Sequence, residues 1–346
     1  MYSLVSQLML LSRFAHHTPY IARTGIRSAS TIVGKSGRVY TKREGLQERE
    51  DPRVSIHKAE SQGQSLVFKR VSRAFFNLSL RLAAGFPQSR RLRMHVDSNE
   101  EEEDVLIYPY YQNTLLGLFK DDTNISDASR KMILRHTGEA IQELHSEDWI
   151  HIDFKPDNIL VNWTCDEEGT KTITNVALGD FDLAFKLEPG ALLHTAHAVG
   201  NAMWRSPEGQ TGRGLSKASD VYSFGLVCLY ALGAGETILI NDYQELAKLG
   251  ITPEQEILTR HFSYFGSAND GLLKQIDSEK WSKALKLASQ MAELAVEDQP
   301  EMRFDVWGQE LGSGAQDMIA GMMKPDPRAR ATIDDVLAHS WWDEVA

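Results

Sequence analysis

The run His151-Ile152-Asp153-Phe154-Lys155-Pro156-Asp157-Asn158 constrains this chain more than any other feature, because it sets a carboxylate, an ammonium and a carboxamide within six residues. Its flanks say where it sits. On the N-terminal side Ser126 and Asp127 are good helix caps, and Ile133, Leu134, Ile141 and Leu144 recur at helical spacing as an apolar stripe. On the C-terminal side, residues 159–163 and 173–178 flank a polar turn at 165–172 and predict a hairpin. The run is therefore a loop between a helix and a hairpin. A further carboxylate, Asp180 in Gly179-Asp180-Phe181-Asp182, follows 22 residues after Asn158, at the far end of that hairpin.

Phosphoryl transfer calls for these groups: a carboxylate to orient an attacking hydroxyl, a cation near the transferring phosphate, and an Asn with an Asp to hold Mg²⁺ between phosphate oxygens. Charge removes a competing class. The chain has 37 Lys and Arg against 48 Asp and Glu, a formal charge of −11. Residues 1–43 hold seven of the basic residues and no acid, so the remainder stands at 30 − 48 = −18. A body that acidic argues against phosphate-backbone binding, and nucleic acid is not an expected partner. Cys165 and Cys228 lie 63 positions apart and support neither a disulfide framework nor a thiolate zinc site. The most apolar of the long uncharged runs, 221–235, has 15 residues. That is short of the ~20 a membrane span requires, and it predicts a buried core helix.

The acid-free front end, with its Arg, Ser and Leu4, Leu8 and Leu11 on one helical face, has the composition of a mitochondrial transit peptide. A disordered N-terminal extension explains it equally well, so localisation stays open between mitochondrial and cytoplasmic for a soluble protein. Beyond it, residues 54–59 and 66–71 read as strands around Ser61-Gln62-Gly63-Gln64, 75–86 as a helix, and 105–108 as a strand after the acidic turn 99–104. From Ser126 onward helices dominate, including 221–233, 242–249, 283–296, 315–323 and 332–338. Trp149, Trp204, Trp341 and Trp342 read as packing residues. The fold class expected is α+β, a small β-rich lobe followed by a large α-helical one.

In this order and at these spacings the motifs resemble the protein kinase family, of Ser/Thr type and similar to a fungal kinase-like branch. The likeness runs from about residue 44 to the C-terminus. It implies a basic extension over 1–43 and a kinase-like domain over 44–346, with an N-lobe at 44–111 and a C-lobe at 112–346. ATP and Mg²⁺ are the implied cofactors and a protein the implied substrate. By the resemblance Asp153 is the catalytic base, Lys155 the lysine that steadies the phosphate, and Asn158 and Asp180 the Mg²⁺ ligands. Lys69 in Val67-Phe68-Lys69 is similar to the strand lysine that holds the α and β phosphates. Val54, Val67, the gatekeeper-like Tyr108, and Tyr110 and Tyr111 of the hinge-like Pro109-Tyr110-Tyr111 complete the implied nucleotide site. His151, Asp220, Glu208 in Ser206-Pro207-Glu208, and Arg330 take structural roles, with Glu208 paired to Arg330 and Asp220 under the catalytic loop.

Departures from the family pattern bear on activity. Counting back from Lys69 puts Gln47, Arg49 and Pro52 at the glycine positions of the phosphate-covering loop, where side chains hold the backbone away and Pro52 removes a donor. A second glycine motif, Gly34-Lys35-Ser36-Gly37-Arg38-Val39, comes too early in the chain. No acid occurs between Arg70 and Val96, so Lys69 is expected to lack a helix glutamate and to stand unpaired, with only Asn77 or Gly85 nearby. Ile152 replaces the arginine before the base, which makes Thr195 an unexpected site for a phosphorylation switch. Asp182 replaces a glycine and should stiffen a hinge, while the Asn201 amide stands where a threonine usually contacts the base. These changes keep two alternatives beside an active kinase: a pseudokinase serving as a nucleotide-binding or scaffold module, and a small-molecule phosphotransferase. Lys155 two after the base, and Ser206-Pro207-Glu208 with its distant Arg330, favour the protein-kinase branch.

Overall fold

Gln62 and Gly63 both take left-handed backbone, φ 51° and 75°, so the first hairpin closes on a two-residue turn whose twist matches the strands it joins. That turn fixes Ser61 opposite Gln64 and sets the register of β3 (Ile56–Ser61) on β4 (Gln64–Arg70), ending with Ile56 opposite Lys69. The computed structural model in which this is seen describes residues 31–47, 55–100, 104–122 and 124–344. β3 and β4 lie in a six-stranded sheet with β1 (Thr31–Val33), β2 (Val39–Gln47), β5 (Asp97–Asn99) and β6 (Val105–Pro109), in the order β1-β2-β3-β4-β6-β5. Every neighbouring pair is antiparallel.

The sheet begins at Thr31, whereas the charge break placed the start of the folded region at residue 44. Residues 31–43 fold because Tyr40 is buried and its hydroxyl donates to Asp97 on β5 at 2.7 Å. Desolvation and that carboxylate push the phenol up to about 12. The early glycine motif is the β1–β2 turn: Gly37 has φ 80°, and Asp97 also accepts from the Ser36 backbone at 3.2 Å. The segment joining β2 to β3 carries Arg49, Pro52 and Val54 and lies outside the described residues, as do residues 1–30.

Helix α1 (Arg73–Gly85) starts where the Ser72 hydroxyl accepts from Phe75 N, and it buries Phe75, Phe76 and Leu82. The larger lobe opens with β7 (Asn113–Thr114) and α2 (Leu115–Asp121) and is built on α3 (Asp127–Ser146), capped by Ser126, whose stripe of Ile133, Leu134, Ile141 and Leu144 is buried. After α3 come the short β8 (Trp149–Ile150) and the loop, and then the hairpin of β9 (Ile159–Cys165) and β10 (Lys171–Leu178). The expected core helix is α4 (Lys217–Leu229), buried without interruption from Ser219. Lys217–Ile238 as a whole is long and apolar enough to cross a membrane by composition, but 67% of its most apolar window is buried inside the protein. Helices Pro253–Phe265 and Asp270–Ile276 were not expected, although the capping box of Thr252 with Gln255 marks the first of them in the sequence. Cys165 is exposed and Cys228 buried, and both are free thiols.

Candidate active site

The loop after α3 is held in an unfavourable backbone conformation. Ile152 has φ 71°, a region a β-branched residue seldom enters, at a cost of about 1–3 kcal/mol. The buried Asp220 at the head of α4 counters it: its carboxylate accepts from His151 N at 2.8 Å and Ile152 N at 2.9 Å, and meets His145 Nε2 at 3.1 Å. The His151 ring is buried, with Nε2 3.0 Å from Gly179 O and edge contacts to Phe154 and Phe181. His151 thus ties the loop to the strand end that presents Asp180.

Asp153 follows directly, and both its oxygens are engaged. Lys155 Nζ donates to Oδ2 at 2.6 Å, and the backbone N–H of Asn201 donates to Oδ1 at 2.7 Å. The contact from Asn201 is therefore made by its backbone; its side-chain oxygen accepts from Met203 N at 3.0 Å. Asn158 Nδ2 donates to Asp153 O at 2.8 Å, which leaves its Oδ1 as the free face of the amide. A carboxamide oxygen beside the Asp180 carboxylate is a hard-oxygen donor set suited to Mg²⁺.

Lys69 is not unpaired. Its Nζ lies 2.7 Å from Asp180 Oδ1 and 3.2 Å from Asp182 Oδ1, and it sits 4.8 Å above the Phe75 ring of α1. The helix does lack an acid, but it faces the lysine with Phe75, and Asp182 supplies a second carboxylate. Asp182 therefore acts as an ion-pair partner, a role the hinge-stiffening expectation missed. Burial opposes charge on all three groups. The lysine nonetheless holds Asp180 well below the usual carboxylate range, and the two carboxylates hold Lys69 above its ordinary value. Asp182 is pushed up, by burial first, with the Asp180 charge adding to it.

These groups surround a cavity of about 480 Å³ between the sheet and the helical lobe. Val67, Lys69, Tyr108, Lys155, Asn158 and Asp180 line it, as do Arg93, Asp157, Thr114 and Asn201. Asp153 closes against it through Lys155, Asn158 and Asn201. The side chains of Tyr110 and Tyr111 do not line it: Tyr110 carries Lys58 Nζ 4.8 Å above its ring, and the Tyr111 hydroxyl accepts from Asn175 at 3.1 Å. Sequence reading missed Arg93, which enters from the segment before β5; nothing local in Leu92-Arg93-Met94 marks it.

Away from the cavity, Arg330 meets Glu208 in a fork, Nη1 to Oε1 at 2.6 Å and Nη2 to Oε2 at 2.9 Å, with both side chains fully buried. Ser219 Oγ also donates to Glu208 at 2.8 Å, and the guanidinium reaches the carbonyls of Lys324, Ala218 and Pro325. All five guanidinium N–H groups and both carboxylate oxygens of a costly buried pair are thereby engaged.

The sequence profile described as protein kinase domain matches residues 91–342. The chain belongs to the protein kinase domain family. It is 27% identical over 255 residues to a serine/threonine-protein kinase of Drosophila melanogaster, covering 74% of this chain and 27% of that protein. Over 138 residues it is 38% identical to an L-type lectin-domain containing receptor kinase of Oryza sativa subsp. japonica, covering 38% of this chain and 19% of that one. The chain thus spans about a quarter or less of these relatives' length. In fold it is similar to the yeast RNA Pol II CTD kinase CTDK-1 complex, with TM-score 0.67, 17% identity and coverage of 95% and 98% of the two chains.

Proposed function

We propose that the protein transfers the γ-phosphate of a purine nucleoside triphosphate, ATP by the family resemblance, to Ser or Thr hydroxyls of a protein substrate. The observation that carries this reading is the arrangement of Asp153, fixed at one oxygen by Asn201 N and at the other by Lys155, both of which line the same cavity as Asn158, Asp180 and Lys69. Mg²⁺ bound with the nucleotide would supply charge neutralisation between phosphate oxygens, and Asn158 Oδ1 and Asp180 would hold it. Asp153 orients the substrate hydroxyl and takes its proton as that oxygen bonds to phosphorus and the nucleoside diphosphate departs. Lys155 and Lys69 offset the negative charge that spreads over the phosphate oxygens. The net charge of −18 outside residues 1–43 favours basic protein substrates by long-range attraction.

The second reading, a kinase fold that binds without turning over, is supported by the acid-free α1 and by the engagement of Lys69 with Asp180. One experiment separates them. With a γ-³²P-labelled nucleoside triphosphate, the wild type should label itself or a generic basic protein, and Asp153→Asn should abolish the label. Equal labelling by both proteins sinks the mechanism, and no labelling at any Mg²⁺ concentration favours the second reading.

A further inference from the structure

Arg93 is a cation on the cavity whose guanidinium the proposed transfer does not employ, while its backbone N–H ties the segment to the larger lobe by donating to Leu178 O at 2.7 Å. Its Nε and Nη2 donate to Pro109 O at 2.9 and 2.7 Å, the carbonyl directly after Tyr108. The guanidinium carbon lies 5.2 Å from the Tyr108 ring centre and 5.9 Å from that of Tyr111, so two aromatic faces fix its plane. Burial lowers its pKa only to about 10, so it stays charged at neutral pH. Among the described residues no acceptor meets Nη1, and the guanidinium keeps three N–H groups unused on a side chain that lines the cavity.

This placement bears on the base of any nucleotide bound there, and it rests on the reading that the cavity holds a Mg²⁺–nucleoside triphosphate. The Pro109 carbonyl is already filled by a donor, so it cannot take the exocyclic amine of adenine. An adenine amine brought to this end would face guanidinium N–H groups, donor against donor. A guanine presents O6 and N7, two acceptors at the spacing an arginine fork matches. Beside it, the backbone N–H and C=O groups of Tyr111 have no partner among the described residues. They are available to the remaining edge of the base.

We infer that Arg93 makes this cavity selective for a guanine nucleotide, reading the O6 and N7 edge of the base with the Nη1 and Nη2 N–H groups that Pro109 leaves unused.

The test is calorimetric titration of the full chain with Mg-GTP and Mg-ATP, repeated on Arg93→Val and Arg93→Lys. Wild type should bind Mg-GTP at least about tenfold more tightly than Mg-ATP, the discrimination a bidentate arginine contact supplies. Arg93→Val should lose that preference, and Arg93→Lys, which keeps a charge in the same surroundings but not the fork, should lose most of it while remaining folded by melting temperature. A wild type that binds Mg-ATP as well as Mg-GTP overturns the inference and leaves the kinase reading standing. A wild type that binds neither while Arg93→Val binds Mg-ATP also overturns it, making the arginine a plug. Binding of neither nucleotide by any of the three proteins overturns both.

Discussion

Asp182 Oδ1 lies 3.2 Å from Lys69 Nζ, a second carboxylate for a lysine that the acid-free helix α1 meets with Phe75. If Asp180 turns to Mg²⁺ during turnover, Asp182 is the carboxylate left to hold Lys69 in place. Asp182→Asn should therefore lower label transfer about tenfold, a loss of ~1.4 kcal/mol of transition-state stabilisation, with the Mg²⁺ requirement unchanged. Asp180→Asn should instead raise the Mg²⁺ needed for half-maximal rate. Identical Mg²⁺ titrations for the two variants would mean that the carboxylates act as a metal pair, against this assignment.

The Glu208–Arg330 fork is a stability device with a definite pH signature. Burial works against the Glu208 charge, yet Arg330 and the Ser219 hydroxyl hold its carboxyl below the ordinary value of 4.5. The unfolded chain takes up this proton first as pH falls. The contribution of the pair is therefore complete above the ordinary glutamate range and is lost progressively as pH drops through and below it. Removing one partner strands a buried charge, so Arg330→Met should cost about 3–5 kcal/mol in urea unfolding at neutral pH. Glu208→Gln should flatten the fall in the urea midpoint between about pH 5 and pH 3; an unchanged slope would contradict the assignment.

Asp220 and Ile152 should prove energetically coupled. The carboxylate accepts two consecutive backbone N–H groups, one of them from the residue at φ 71°. Asp220→Ala should cost about 3 kcal/mol, since it leaves buried donors unmet and releases the strained turn. Ile152→Gly removes the Cβ penalty, so in the Asp220→Ala background it should recover about 1 kcal/mol that it does not yield in wild type. Strict additivity in the double-mutant cycle would show that the carboxylate does not hold this φ.

What could be read in advance was local. Asp153, Lys155 and Asn158 fall within six residues, and the caps and stripe of α3 and the β9–β10 hairpin are written in contiguous sequence. Pairings across the chain could not be read this way. Lys69 meets partners 111 and 113 positions away, and those carboxylates follow Gly179 on a strand end whose Asp180 has φ 61°. Absence of an acid from α1 was visible; that Phe75 faces the lysine and Asp182 compensates was not. The charge break at Glu44 was mistaken for a folding boundary because Tyr40 is secured by Asp97, 57 residues later. Arg93 was overlooked for the same reason, since its significance lies in Pro109 O, 16 residues on.

Gly200 offers a test that separates catalysis from folding. It has φ 81°, and a Cβ there would come 2.9 Å from Ile152 O and 3.2 Å from Asp153 Oδ1. That carboxylate oxygen is also the one that accepts from Asn201 N at 2.7 Å. An added methyl must push the Gly200–Asn201 peptide away from the loop, because a backbone carbonyl on a strained turn has little freedom to yield. Gly200→Ala should therefore lengthen or break the hydrogen bond that sets the Asp153 rotamer. The expected result is a fall of about tenfold or more in kcat, the scale on which misorientation of a reacting group acts, with nucleotide KM nearly unchanged. Melting temperature should drop by only a few degrees, reflecting the ~1–2 kcal/mol strain of alanine at positive φ. Full activity in Gly200→Ala would show that the Asn201 contact does not orient Asp153.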